Sequence, residues 1–133
     1  MTDPVLVDTN VILDVTANDP VWRQWSEEHL AKLVGRLVVN PLVYTELCHS
    51  ATKIEVVESA LTSLGLVYLE LPREALFLAS KAFRDYRKKG GTKTAPLADF
   101  FIGAHAAVEG FKLLTRDVNR YRTYFPGVKL IHP

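Results

Sequence analysis

VLVDTN, from Val5 to Asn10, is the segment of this 133-residue chain that is most informative about its fold. Three consecutive branched aliphatic residues leave no polar side for water, which is typical of a strand buried on both faces of a parallel sheet. Asp8 follows directly, where a soluble chain seldom buries a carboxylate without a partner. The stretch therefore predicts a central β-strand that ends in an acidic side chain.

Outward from this strand, short apolar runs alternate with helical patterns. Further strands are predicted at residues 36–39, 66–71, 112–115 and 128–131. Helices are predicted at residues 11–17, 19–34, 41–50, 53–64, 72–89 and 96–110. Strands that alternate with helices indicate an α/β fold with a mainly parallel sheet of four to five strands, covered by helices on both faces. We expect residues 1–133 to form one domain.

Local signals indicate where several of these helices begin and end. Thr9 and Asn10 are expected to cap the first helix, and Asn40 followed by Pro41 is a strong start signal for the third. Gly103, within the apolar helix predicted at 96–110, is expected to let that helix approach its neighbours closely.

Composition excludes several classes of protein. No apolar run approaches the roughly 18 residues of a membrane span, and the N-terminus lacks a basic segment followed by an apolar one. We therefore expect a cytoplasmic protein without a membrane anchor. Cys48 is the single cysteine, which rules out an internal disulfide and fits a reducing compartment.

Charge is distributed unevenly along the chain. Residues 1–64 carry 4 Lys and Arg against 9 Asp and Glu, whereas residues 65–133 carry 12 against 6. The basic side chains are densest in residues 81–93. Such a segment could bind a phosphate-rich chain beside carboxylates that hold cations, or it could simply be a solvated helix face.

Four acidic residues lie within or at the end of strongly apolar segments: Asp8, Glu46, Asp99 and Asp117. Asp8 and Asp117 follow predicted strands, and the carboxyl ends of parallel strands meet at one edge of a sheet. Asp99 falls in the first turn of its helix, which should begin at the same edge. Glu46 lies on the apolar stripe of the helix predicted at 41–50, so it is expected to point into the protein.

Each acid has a simpler explanation when it is taken alone. Asp8 or Asp117 could cap the next helix, Asp99 could be favoured by the helix dipole, and Glu46 could pair with a buried arginine. No single explanation covers all four. Together they suit Mg²⁺ or Mn²⁺, which prefer oxygen ligands, and a carboxylate cluster of this kind indicates phosphoryl chemistry. The spacing of His and Cys typical of zinc sites is absent from the sequence.

The chain resembles the PIN-domain ribonucleases, and among them the VapC-type toxins of bacterial toxin–antitoxin pairs. The resemblance rests on four motifs in order along nearly the whole chain. They are VLVDTN at 5–10, Glu46 on a helix after Asn40-Pro41, PLADFFIGAHA at 96–106 and LTRD at 114–117. It implies a three-layer α/β/α fold, dependence on Mg²⁺ or Mn²⁺, endonucleolytic cleavage of RNA, a small antitoxin partner and a homodimer.

The resemblance also assigns roles to residues. Asp8, Glu46, Asp99 and Asp117 match the metal-binding quartet, and Asn10 and Thr115 match polar neighbours that orient a metal-binding carboxylate, a water or a phosphate. Arg116 either reaches a phosphate or pairs with a carboxylate of the site, and the sequence favours neither. The side chains that we expect to contact the RNA backbone are Arg84, Arg87, Lys88, Lys89 and Lys93.

Two other functions stay open at this point. The first is a non-catalytic RNA-binding module that keeps the fold. The second is an aspartate-dependent phosphatase, because Asp8-Thr9-Asn10 after a strand loosely resembles an aspartyl-phosphate turn. No lysine follows the second or third strand at an obvious position, which argues against the phosphatase. His105 is predicted to be a core histidine, and Trp22 with Trp25 either packs as one helix face or lines a groove for a partner helix.

Overall fold

A parallel sheet of five strands runs through the part of the chain that the structure describes, a computed structural model covering residues 3–94 and 97–133. The strands are β1 (Val5–Val7), β2 (Leu37–Val39), β3 (Val67–Tyr68), β4 (Lys112–Leu114) and β5 (Leu130–Ile131). Their order is β3-β2-β1-β4-β5, and every neighbouring pair is parallel. The predicted sheet is confirmed, with β1 at its centre.

The central strands are covered on both faces. Every residue of β1 and β2 is completely buried, as are Leu113 and Leu114 of β4. Because successive strand residues point to opposite faces, burial of all of them requires helices above and below the sheet. The molecule therefore has the three-layer α/β/α architecture that the sequence predicted.

The edge strand β3 is shorter than predicted. Val67 and Tyr68 are 44% and 41% exposed, whereas the sequence predicted a strand over residues 66–71. An edge strand has a partner on one side only, and the described pairing with β2 covers Val67 and Tyr68. A single further hydrogen bond, from the Leu69 amide to the Val39 carbonyl at 2.9 Å, extends the contact.

Seven helices connect the strands within the described residues. They are α1 (Thr9–Thr16), α2 (Arg23–Lys32), α3 (Pro41–Cys48), α4 (Ile54–Leu64), α5 (Arg73–Lys88), α6 (Ala98–Glu109) and α7 (Asn119–Tyr124). The first six were predicted, although the predicted start of α6 at Pro96 lies outside the described residues. None of these helices is both long enough and apolar enough to cross a membrane.

Two helix starts differ from prediction for local reasons. Helix α1 begins at Thr9, because Asp8 is its N-cap and its Oδ1 accepts a hydrogen bond from the Thr9 amide at 2.8 Å. The predicted caps, Thr9 and Asn10, are instead inside the helix. Helix α2 begins only at Arg23, because Asp19 Oδ1 accepts hydrogen bonds from the amides of Val21 and Trp22 and holds that segment as a turn.

The start of α3 is as predicted. Asn40 Oδ1 accepts hydrogen bonds from the amides of Leu42 and Val43, both at 3.0 Å, and Pro41 occupies the first turn. Asn40 is buried, and its Nδ2 lies 3.2 Å from Nδ1 of His105 on α6. Burial lowers the pKa of His105, so the imidazole is neutral at physiological pH. His105 is thus a hydrogen-bonded core residue, as expected.

Gly103 allows the end of α7 to pack against α6. A Cβ atom at position 103 would lie 2.3 Å from the Phe125 ring, which directly follows α7 and is buried. The absent side chain therefore sets the distance between the two helices. This confirms the structural role expected for Gly103 and explains how α7 is held beside the sheet.

Gly103→Ala is predicted to lower the free energy of unfolding by about 1–3 kcal/mol, because the new methyl group displaces the Phe125 ring. Gly127→Ala is the matched control, since a Cβ atom there would meet nothing within 4 Å. Urea denaturation of the three proteins, followed by circular dichroism, measures the effect. Equal loss of stability in both variants would contradict this account of the α6–α7 contact.

Candidate active site

The candidate site lies where the strand order reverses. From β1 the chain passes to β2 on one side of the sheet, whereas β4 lies on the other side. Ligand crevices of open α/β sheets form at the carboxyl ends of the strands at such a point. Asp8 follows β1 there, and Thr115 and Asp117 follow β4. The amide of Asp8 donates a hydrogen bond to the Leu114 carbonyl at 2.9 Å, which ties the two strand ends together.

All four acids of the predicted quartet line one crevice of about 570 Å³. They come from four separate segments: the end of β1, helix α3, the first turn of α6 and the loop after β4. The same crevice is lined by Asn10, which was also predicted for the site, and by Thr9, Thr45 and His49, which were not. The sequence therefore identified the acids that the fold brings to one place.

The four carboxylates differ in burial. Asp8 is 5% exposed, Asp99 is partly buried, and Glu46 and Asp117 are exposed at the mouth of the crevice. The prediction that Glu46 points into the protein was wrong. Val43 and Leu47 supply the buried face of α3, and Glu46 lies beyond the edge of that face. The Thr9 hydroxyl donates a hydrogen bond to Glu46 Oε1 at 2.6 Å, which directs the carboxylate toward the end of β1.

Hydrogen bonds from three elements hold the Asp8 carboxylate. Oδ1 accepts from the Thr9 amide, and Oδ2 accepts from the hydroxyls of Thr115 at 2.8 Å and Tyr121 at 2.9 Å. Burial raises the pKa of Asp8, while these three hydrogen bonds oppose that rise. Burial also raises the pKa of Tyr121 well above its ordinary value, so the phenol keeps its proton and remains a donor. Thr115 thus contacts one acid of the predicted quartet, and the orienting role implied by the resemblance stays a prediction.

Tyr121 was not identified from the sequence. It belongs to α7, a helix that was not predicted, and its contact with Asp8 joins residues 113 positions apart. A signal was present, because Tyr121, Tyr124 and Phe125 have the spacing of one apolar helix face. The helix is only six residues long and lacks a side-chain cap, so the start signals used for the other helices were missing.

Asp99 is the acid most affected by its charged neighbours. Burial and the negative charge of Asp8 raise its pKa to about 6, and Asp117 adds to the rise, whereas Arg120 opposes it. Arg120 Nη1 lies 3.5 Å from Asp99 Oδ2. Arg120, on α7, was also not predicted from the sequence as a site residue. The crevice therefore concentrates more negative charge than Arg120 offsets.

Arg116 pairs with an acid outside the predicted quartet. Its guanidinium binds Asp14 of α1 in a bidentate manner, with Nε 2.6 Å from Oδ2 and Nη2 2.9 Å from Oδ1. Asp14 is buried and also accepts a hydrogen bond from Ser26 of α2. The Arg116 amide donates to Asn10 Oδ1 at 3.3 Å. Arg116 thus pairs with Asp14, which does not line the crevice, and not with a carboxylate of the site as one of the two expectations had it. This pairing secures the loop that carries Asp117.

The basic residues predicted to contact RNA lie beside the crevice rather than in it. None of the five lines the described crevice. Arg84, Arg87 and Lys88 are exposed on α5, and Lys89 and Lys93 follow it. Lys89 Nζ lies 5.1 Å from the centre of the Tyr124 ring, and Arg87 Nη1 donates to the Lys93 carbonyl at 2.8 Å. Their contact with RNA stays a prediction.

The carboxylates of the crevice are of the chemical type that binds a hard divalent cation, but they do not surround a single position. Within residues 3–94 and 97–133, no three Asp, Glu, His or Cys side chains lie close enough together to hold a metal ion. The four predicted ligands nevertheless all offer carboxylate oxygens, which suit Mg²⁺ and Mn²⁺. Burial raises the pKa of both Asp8 and Asp99, and neighbouring carboxylates add to the rise, so a bound cation would relieve part of that repulsion.

Comparison with known families gives the identity of the fold. The PIN domain model matches residues 5–126, which is nearly the whole chain. This protein therefore belongs to the PIN domain family. A comparison with curated protein sequences gives no match.

Solved structures share the fold at low sequence identity. A chain of DNA-bound VapBC from Salmonella typhimurium is similar with a TM-score of 0.72 and 17% identity over 97% of both chains. A chain of VapBC-1 from nontypeable Haemophilus influenzae has a TM-score of 0.72 and 21% identity over 96% of both chains. A chain of a toxin–antitoxin complex from Klebsiella pneumoniae has a TM-score of 0.69 and 18% identity, and the match covers 93% of this chain and 94% of that one.

Asp99→Asn is predicted to raise the thermal unfolding temperature of the metal-free protein at pH 7.5. The pKa of Asp99 is about 6 in the folded protein against an ordinary value of 3.8, so its ionisation opposes folding. The gain in stability from removing the charge is therefore complete above about pH 6. It declines as the pH falls from 6 toward 3.8, because the carboxyl of the folded wild type is then protonated. Calorimetry at pH 7.5 and pH 4.5 measures the difference. An equal shift at both pH values would contradict it.

Proposed function

We propose that this protein is a metal-dependent endoribonuclease that hydrolyses RNA phosphodiester bonds. The observation that carries the proposal is the convergence of Asp8, Glu46, Asp99 and Asp117 on one crevice at the carboxyl edge of a parallel sheet. Membership of the PIN domain family supports it. The negative charge of the crevice, which Arg120 offsets only in part, supports a cation as part of the working enzyme, because an anionic RNA would otherwise be repelled.

The four carboxylates would hold Mg²⁺ or Mn²⁺. When bound, such an ion supplies a water of lowered pKa and offsets negative charge on the phosphate. The other residues act on the carboxylates. Thr115 and Tyr121 orient Asp8, and Thr9 orients Glu46. Outside the crevice, the exposed basic side chains of α5 and of the segment after it would bind the RNA backbone, giving affinity that falls with salt and carries no base specificity.

We also propose that the protein acts as the toxin of a toxin–antitoxin pair. The support is its similarity over more than nine-tenths of its length to chains of VapBC and of a toxin–antitoxin complex. A small antitoxin would then neutralise the nuclease, and a homodimer belongs to the same proposal. Co-expression with the protein encoded immediately upstream, followed by light scattering of the purified complex, tests both partners.

The phosphatase alternative has no structural observation in its favour. An aspartyl-phosphate enzyme needs an accessible Asp nucleophile and a nearby lysine. Asp8 is buried, and both of its oxygens accept hydrogen bonds from the protein. Among the described residues that line the crevice there is no lysine. The non-catalytic RNA-binding alternative differs from our proposal only in the absence of cleavage, which the next experiment measures.

Glu46→Gln and Asp117→Asn are predicted to abolish cleavage of total cellular RNA in Mn²⁺ while the protein stays folded. Both side chains are exposed, so the substitutions disturb no core packing. Loss of a ligand should reduce the rate by more than about 100-fold, since disturbing a neighbour of a ligand already costs roughly 10–100-fold. Glu55→Gln, an exposed acid in the first turn of α4, is the matched control and should cut normally.

Sequencing of the cut ends identifies the cleaved bond. Full activity of Glu46→Gln and Asp117→Asn, or full activity of the wild type in excess chelator, would refute the proposal. Tight, salt-sensitive RNA binding by a wild type that cuts no RNA in Mn²⁺ would favour the non-catalytic alternative.

Tyr121→Phe is predicted to weaken Mn²⁺ binding roughly 10-fold or more, because Asp8 loses a hydrogen bond that orients it. Isothermal titration calorimetry measures this directly, without reliance on cleavage. Tyr124→Phe, on the same helix and without a described hydrogen bond to an acid, serves as the control. Unchanged Mn²⁺ affinity in Tyr121→Phe would show that the phenol has only a packing role.

A further inference from the structure

A second cavity, of about 450 Å³, adjoins the acidic crevice and has no role in the function proposed above. It shares Asp99 and Asp117 with the crevice, and its other walls come from α5 and α7. Its volume is within the ~300–1,000 Å³ typical of small-ligand sites. The residues that give it chemical character are Tyr86, Arg120 and Tyr124.

Arg120 is held rigidly but has few hydrogen-bond partners. Its guanidinium lies 5.4 Å from the ring centre of Tyr86 and 5.4 Å from that of Phe100, so two aromatic rings fix its position. Its one ion pair among the described residues is with Asp99 at 3.5 Å, which is long for a hydrogen bond. A guanidinium carries five N–H donors, so most of them remain available. The side chain is 29% exposed, which leaves it accessible from the cavity.

The two tyrosines link the cavity to the basic segment. Lys89 Nζ lies over the Tyr124 ring, and the Lys93 amide donates a hydrogen bond to the Tyr86 hydroxyl at 3.3 Å. One side of the cavity therefore meets the carboxylates, and the other meets the cations predicted to contact the RNA backbone. A chain of phosphates that entered the crevice from this side would pass over Arg120.

We propose that this cavity is a subsite for one nucleotide of single-stranded RNA, adjacent to the phosphodiester bond that is cut. Arg120 binds the phosphate of that nucleotide, and Tyr86 and Tyr124 contact its base or sugar. The subsite rests on the proposed function, because it places the RNA strand beside the four carboxylates. It adds a specificity-determining position that none of the four acids supplies.

The strand is single because two of the residues that line the cavity, Tyr86 and Tyr124, are aromatic. Aromatic rings and guanidinium planes bind a base by its face, and that face is accessible only when the base is not stacked in a duplex. A role for Arg120 merely as the counter-ion of Asp99 explains the contact at 3.5 Å. It does not explain why the guanidinium also packs against the Tyr86 ring, which lines the cavity, and against the buried Phe100 ring behind it.

The test measures binding of a fluorescein-labelled 12-nucleotide RNA of random sequence by anisotropy in Mn²⁺. The measurements use the Glu46→Gln protein, which is expected to bind the strand without cutting it. Adding Arg120→Gln should weaken binding about 10-fold and lower the slope of log Kd against log salt by about 0.7. Arg120→Lys keeps the charge but not the plane, so it should retain the salt slope and lose part of the affinity.

Arg122→Gln is the matched control. Arg122 lies two residues along the same helix, is exposed and contacts His132 instead of the cavity. Arg122→Gln removes the same charge as Arg120→Gln, so an equal loss of RNA affinity in the two variants would overturn the subsite. An equal effect of Arg120→Gln on a duplex of the same length would overturn it as well.

Photocrosslinking gives a second, direct readout. A 12-nucleotide RNA that carries 5-iodouridine should form an adduct on Tyr86 or Tyr124, which mass spectrometry identifies. Adducts confined to other residues, or the absence of any adduct on these two tyrosines, would overturn the proposal. If the wild type cuts RNA while Arg120→Gln binds it normally, the subsite proposal is wrong but the nuclease proposal is retained. If the wild type cuts no RNA in Mn²⁺, the proposed function itself fails.

Discussion

The hydrogen bonding of the buried Asp8 carboxylate is the interaction on which the rest of the site depends. A carboxylate with so little exposed surface is costly unless its oxygens are satisfied, and here three donors satisfy them. The donors belong to the start of α1, the end of β4 and α7. Holding this one charge therefore aligns three elements that are distant in sequence. The acidic edge of the sheet is therefore arranged around Asp8, whose carboxylate is fixed in place by these hydrogen bonds.

The remaining acids repel one another and Asp8, because they place several negative charges at one edge of the sheet. Their burial decreases away from Asp8. Asp99 is partly buried and has Arg120 beside it, whereas Glu46 and Asp117 are open to water, which screens them. The negative charge of the site is thus only partly offset by protein groups. That residual charge is the electrostatic basis for expecting a cation and, next to it, an anionic strand.

Local sequence signals predicted the parts of the structure that local forces determine. The apolar run before Asp8 indicated a central strand, and Asn40 with Pro41 indicated the start of α3. Periodicity placed Glu46 on the wrong side, because it identifies a helix face but not where that face ends against the neighbouring elements. Tyr121 and the Asp14 partner of Arg116 depend on contacts across more than 100 positions, which no pattern within one segment encodes.

The contact between Asn40 and His105 determines which tautomer the buried imidazole adopts. Asn40 Oδ1 is occupied by two backbone amides of α3, so the group that faces Nδ1 of His105 is an amide N–H. Nδ1 must then accept, and the single ring proton resides on Nε2. An imidazolium would place one donor against another at 3.2 Å between two buried side chains. Asn40, the N-cap of the helix that carries Glu46, can therefore make this hydrogen bond only to an uncharged His105 ring.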